Sequence, residues 1–145
     1  MFLVDTNVIS ALAPSKRLSA DELLEWLDRA SSRLFLSVIS AAEIRSGIAK
    51  AEREGAITKA RRLSDWWESI EYLYAEKLLP FDIRCAHIVG QILDDSGAHN
   101  SGFENIAIAA TARAHGLTVL TRNLRHFEPL GARAIDPFAA LPELE

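Results

Sequence analysis

Four stretches of this chain place an oxygen-bearing side chain where an apolar run meets polar residues. Asp5 follows Phe2-Leu3-Val4, and Glu43 closes Ser37-Val38-Ile39-Ser40-Ala41-Ala42-Glu43. Glu104 and Asn105 open a small-residue apolar segment, Ile106-Ala107-Ile108-Ala109-Ala110-Thr111-Ala112, and Asn123 follows the run from Leu117 to Leu120. Taken singly, each has a bland role. Asp5 can cap the next helix or bond the backbone of Thr6 and Asn7, and Glu43 has capping-box spacing to Ser40. Asn105 reads as an N-terminal capping group, Glu104 suits the positive end of a helix dipole, and Asn123 makes a turn. Taken together they bring carboxylates and amides to one crevice, where repulsion calls for a positive charge. Hard oxygen donors of this kind suit Mg²⁺ or Mn²⁺.

Such convergence requires elements that end on the same side. Residues 2–4, 34–38 and 117–120 are short, mostly apolar runs, each fitting a strand buried on both faces. Residues 78–81 and 132–135 are weaker strand candidates, and Pro80 places the former at an edge or a strand start. Helical patterns lie between. A short one covers Val8 to Leu12, and another opens with Ser19-Ala20-Asp21-Glu22 at capping-box spacing, with Leu23, Leu24, Leu27 and Ala30 on one face. After Glu43 a helical hairpin breaks at Gly55, with Ile44, Ile48 and Ala51 before the break. Ile57, Ala60, Leu63, Trp67, Ile70 and Tyr74 follow it at helical spacing. Residues 83–93 continue as a helix ending near Gly97, and the helix over 104–115 ends at Gly116, a natural left-handed cap. This alternation predicts an α/β fold, a central, mostly parallel, twisted sheet of four to five strands flanked by helices. Its ligand site belongs outside the carboxyl ends of the strands. The tail from Asp136, with Pro137 and Pro142, is expected to pack loosely and add little to the chemistry.

Composition bounds the function. The 145 residues, 49% of them hydrophobic, are expected to form one domain over 1–145. The lone Cys85 excludes a disulfide framework and points to a reducing, cytoplasmic setting. The N-terminus carries neither a signal peptide nor a membrane span, so a soluble protein is expected. A net charge of −4 argues against a general polyanion binder, so any nucleic-acid contact must be local. The histidines at 87, 99, 115 and 126 lack zinc-site spacing, and none is assigned to catalysis. Lys50, Arg53, Lys59, Arg61 and Arg62 read as a solvated helical face, as does Arg45, for which substrate contact is a second reading. Trp66 and Trp67 read as packing residues, one in the core and the other in an interface.

Five ordered stretches resemble the PIN-domain ribonucleases, in particular the VapC/FitB-type toxins of bacterial type II toxin–antitoxin pairs. They are residues 3–10 (Leu3-Val4-Asp5-Thr6-Asn7-Val8-Ile9-Ser10), 36–47, 79–82 (Leu79-Pro80-Phe81-Asp82), 108–112 and 117–123. The resemblance spans nearly the whole chain. It implies a Mg²⁺- (or Mn²⁺-) dependent endoribonuclease with Asp5 and Glu43 on the first two acidic positions of the family's site. The third acidic position, three residues before Ile108, falls on Asn105, where this chain departs from the pattern. A fourth, often Asp and often Asn in the family, falls on Asn123.

The resemblance further implies that Asp5, Glu43 and Asn105 hold the metal, with Thr6, Thr121 and Asn123 in support and Arg122 and Arg125 near the substrate. It implies a homodimer, possessing an RNA substrate and inhibited by a cognate VapB-like antitoxin that can place a basic side chain in the acidic crevice. An amide at 105 presents one neutral oxygen and weakens metal affinity. Three readings stand: a substitution that disables a toxic enzyme, a natural variant of lower activity, or compensation by Glu104, which points about 100° away on a helix. The alternative function is a PIN fold impaired at 105 that binds antitoxin and RNA without efficient turnover. An Asp-nucleophile phosphatase is a third, since Asp5 ends a first strand, but the acid/base carboxylate such an enzyme needs two residues on is Asn7 here.

Overall fold

The computed structural model describes residues 1–14, 21–96 and 102–144. Five short strands form one all-parallel sheet: β1 (Phe2–Val4), β2 (Leu34–Ser37), β3 (Leu78–Leu79), β4 (Thr118–Leu120) and β5 (Ala134–Ile135), in the spatial order β3-β2-β1-β4-β5. The weaker candidates are strands after all, and both sit at sheet edges. Pro80 follows β3, where its missing N–H interrupts no inner ladder.

Side chains alternate across a strand, and the central strands feed two cores. Val4, Leu36 and Leu120 face one layer with Val8, Trp26, Ile44, Ile48 and Trp67. Leu3 and Val119 face the other with Ile92, Ile106, Ile108 and Phe127. The first layer holds α1 (Thr6–Ala11), α2 (Asp21–Ala30), α3 (Val38–Arg53) and α4 (Ile57–Leu73); the second holds α5 (Ile83–Ser96), α6 (Phe103–His115) and the short α7 (Leu124–Phe127). Buried almost all round from Ile106 to Ala112, α6 packs closely on α5, which its alanines allow.

Several local expectations change. In α2 the buried set is Leu23, Trp26, Leu27 and Ala30, while Leu24 is 45% exposed. Residue 26, not 24, continues the i, i+3, i+4, i+7 stripe. Ile57, at the first turn of α4, is 54% exposed. The α3–α4 hairpin turns at Gly55 (φ 81°), and α6 ends on Gly116 (φ 65°), a left-handed cap as expected. The Ser19 cap and His99 lie outside the described residues. The tail is tied down: Trp26 Nε1 donates to Pro142 O at 2.8 Å, and Leu141 packs against the first core. Among the described residues, no helix is long and apolar enough to cross a membrane.

Candidate active site

The chain runs from β1 to β2 to β3 toward one edge of the sheet, then resumes with β4 and β5 on the other side of β1. The order reverses between β1 and β4, and a parallel α/β sheet opens a crevice at such a point, beyond the strand carboxyl ends. Val4 pairs with Leu120, so the next residues, Asp5 and Thr121, emerge side by side. Asp5 N donates to Leu120 O at 2.9 Å, and Thr121 Oγ1 donates to Asp5 Oδ2 at 2.9 Å. Asp5 also caps α1, its Oδ1 accepting from Thr6 N at 2.8 Å. The capping role is therefore real, and the second carboxylate oxygen does something else.

Glu43 reaches the same place by another route. The capping box expected between Ser40 and Glu43 does not form. Ser37 caps α3, its Oγ accepting from Ile39 N at 3.0 Å, so the helix begins three residues earlier and Glu43 falls on its second turn. There Glu43 Oε1 accepts from Thr6 Oγ1 at 2.7 Å, and Thr6 Oγ1 lies 2.8 Å from Ser40 Oγ. Thr6 thus bridges both carboxylates, by its amide to Asp5 and its hydroxyl to Glu43. Burial pushes the Asp5 carboxyl above its ordinary range and the charge of Glu43 adds to this, while the Thr121 and Thr6 hydrogen bonds and His126 pull it back.

Asn105 caps nothing. Gly102 precedes α6, which leaves Asn105 in its first turn with Nδ2 3.4 Å from His126 Nδ1. Glu104 is exposed and its carboxylate folds back over Gly102, where a built Cβ would lie 2.6 Å from Oε2. Asn123 is exposed and precedes α7, its backbone N–H donating to Thr121 Oγ1 at 3.0 Å. Arg122 is exposed beside it, its guanidinium 4.5 Å from the Phe138 ring centroid. The tail thus reaches the crevice mouth, contrary to the minor role expected of it. Arg45 turns to α4 instead, 2.9 Å from Ser64 Oγ and 4.0 Å from Glu68. Asp82 caps α5: the Cys85 amide donates to it and holds its carboxyl below the usual range.

Residues 2–130 match the model of the family described as PIN domain. The chain belongs to the PIN-domain family. It is 35% identical to plasmid stability protein StbB of Pseudomonas syringae pv. tomato, over 97% of this chain and all of that protein. It is also 35% identical to toxin FitB of Neisseria gonorrhoeae, covering 95% and 99% of the two chains, and 32% identical to VapC ribonuclease Y4jK of Sinorhizobium fredii, covering 95% and 98%. Among solved structures it resembles the FitAcB crystal structure from Neisseria gonorrhoeae, with TM-score 0.79, 34% identity and coverage of 95% and 99%. DNA-bound VapBC from Salmonella typhimurium gives 0.71 at 28% identity, over 93% and 96% of the chains.

The PIN domain therefore brings Asp5, Thr6, Glu43 and Thr121 into one hydrogen-bonded cluster and sets Asn105 beside His126. It leaves Glu104 exposed over Gly102, and Asn123 and Arg122 exposed next to Thr121. Among the described residues, no group of three or more His, Cys, Asp or Glu side chains is placed to hold a metal ion. The donor set that suits a hard divalent cation is the Asp5–Glu43 pair, each carboxylate anchored by a hydroxyl. Ser40, His126 and Asn7 also belong to this neighbourhood, in contacts that their places in the sequence did not signal. Asn7 Nδ2 lies 3.4 Å from Thr121 Oγ1 and its Oδ1 accepts from Arg122 N at 3.3 Å, so Asn7 braces the β1 and β4 ends against each other.

Proposed function

We propose that this PIN domain is an endoribonuclease toxin of a VapBC-type toxin–antitoxin pair, requiring Mg²⁺ or Mn²⁺. The observation that carries the reading is the Asp5–Thr6–Glu43 bridge at the switch point of the sheet. Two carboxylates held together, one of them buried, create a concentration of negative charge that a cation relieves. A bound Mg²⁺ or Mn²⁺ would supply a water of lowered pKa and neutralise charge on the phosphate. The residues provide the rest. Asp5 and Glu43 would hold the ion with the Asn105 oxygen, and Thr6 and Thr121 fix the carboxylates' orientation. Arg122, backed by Phe138, and Asn123 stand where a substrate phosphate enters. The names of FitB and the VapC ribonuclease support the toxin and nuclease roles.

In this reading the protein works in the cytoplasm on RNA, forms a homodimer, and is silenced by a VapB-like antitoxin whose basic side chain docks on the Asp5–Glu43 pair. The test is cleavage of labelled single-stranded RNA in Mg²⁺, in Mn²⁺ and in EDTA. Cleavage is expected with either ion and lost in EDTA, in Asp5→Asn and in Glu43→Gln. Cleavage that persists in EDTA overturns the metal-dependent reading.

A second reading is favoured by the amide at 105, engaged with His126. It is a PIN domain that keeps antitoxin and RNA binding but turns over poorly. Restored cleavage in Asn105→Asp supports it over the first.

A further inference from the structure

We propose that the cleft between α1, α3 and α4 is a subsite for the single-stranded RNA next to the scissile bond. Lys50 and Lys59 would hold its phosphates, and Ile44, Leu63 and Trp66 would back its bases. The proposal deepens the nuclease reading above and rests on it.

The cleft has a volume of about 380 Å³. It is walled by two facing helical stripes, Glu43, Gly47 and Lys50 on α3 and Lys59, Leu63 and Trp66 on α4, each at i, i+4 and i+7. Ser10 and Ala13 close its third side. Its chemistry is graded. The Glu43 end belongs to the acidic pair, the middle is apolar or bare, and the far end carries two ammonium groups. Glu43 and Lys50 are separated by about 10 Å along the helix at 1.5 Å per residue. That is roughly three stacked nucleotides at 3.4 Å each. A strand whose phosphate is attacked beside Glu43 therefore has its neighbouring phosphates within reach of the lysines.

Several features fit a nucleic acid strand better than other ligands. An apolar wall with a cationic rim is how single strands are gripped without base-edge readout. Gly47 forms open floor, since a Cβ added there meets nothing within 4 Å. Lys50 faces Glu54 at 4.0 Å, but both are more than half exposed, and such a pair is easily exchanged for a phosphate. Trp66 also lines a second cavity, with Val4, Ile9, Leu27 and other apolar groups, where Asp28 is the only charged residue among the described ones; these groups offer phosphates nothing. The overall charge of −4 makes this local pair of cations matter more.

The test measures binding of a fluorescein-labelled single-stranded RNA by anisotropy in EDTA, across a salt series, with the full chain. Lys50→Ala and Lys59→Ala are each expected to weaken binding and to lower the slope of log K against log salt by about 0.7, one phosphate contact of a single strand. Gly47→Leu, which fills the floor, is expected to weaken binding too. Arg53→Ala and Arg61→Ala, on the same helices outside the cleft, should change neither quantity. If the parent chain binds RNA but the lysine variants match it, the subsite is overturned and the nuclease reading stands. Equal losses in the arginine variants overturn the subsite in favour of diffuse charge. A parent chain that binds no RNA in EDTA overturns the subsite, while the nuclease reading is decided separately by the cleavage assay in Mg²⁺ and Mn²⁺.

Discussion

Thr6 and Asp5 show how much one residue pair carries. The Thr6 hydroxyl lies 2.7 Å from Glu43 Oε1 and 2.8 Å from the buried Ser40 Oγ. Thr6→Val strands both partners, and leaving buried polar groups unpartnered costs on the order of 1–3 kcal/mol. Urea denaturation should show that loss, while Thr6→Ser keeps the hydroxyl and most of the stability. Asp5 works in the opposite direction. Its carboxyl is raised above the ordinary 3.8, so the folded state binds a proton more readily than the unfolded one. The resulting cost is absent below 3.8 and grows as pH rises through the folded value. Asp5→Asn should therefore melt higher than the parent in EDTA at pH 7, with the advantage shrinking near pH 4. Added Mg²⁺ should raise the parent's melting point and leave Asp5→Asn unmoved. At a hundredfold excess over Kd the gain is about 2.7 kcal/mol. A parent chain indifferent to Mg²⁺ and Mn²⁺ would count against the proposed cation.

At the scale of elements, two glycines should respond with opposite signs. Gly116 holds a left-handed conformation that a Cβ disfavours by about 1–2 kcal/mol, so Gly116→Ala destabilises. Gly47 sits inside α3 with open space around it, and Gly47→Ala should add up to about 1 kcal/mol of helix stability. Thermal or urea unfolding of the two variants checks both. The elements were largely legible in the sequence, because continuous apolar runs and glycine stops are local signals. Phe2-Leu3-Val4 and Gly116 needed no tertiary information. Helix registers were less legible. Ser37 and Ser40 are equally plausible caps, and the choice of Ser37 moved Glu43 from a capping role into the crevice. The bridging hydroxyls were harder still. Threonine and serine after a strand look like turn chemistry, and the pairings Thr6–Glu43 and Thr121–Asp5 join residues 37 and 116 positions apart.

For the whole molecule, the balance between nuclease and impaired binder turns on residue 105. Asn105→Asp adds a third carboxylate beside His126 and should raise Mg²⁺-dependent RNA cleavage by at least tenfold if the amide limits turnover. Comparing parent and variant under single-turnover conditions decides it. The placement of β1 between β2 and β4 has another consequence, one of timing. Asp5 emerges early in synthesis, but the carbonyl that accepts its amide is on Leu120 and the hydroxyl that orients its carboxylate is on Thr121. A nascent chain shorter than that holds Asp5 and Glu43 without the frame that aims them. The closure spans 116 positions, so the frame around Asp5 forms only once residue 121 has been made, late in the synthesis of the 145-residue chain.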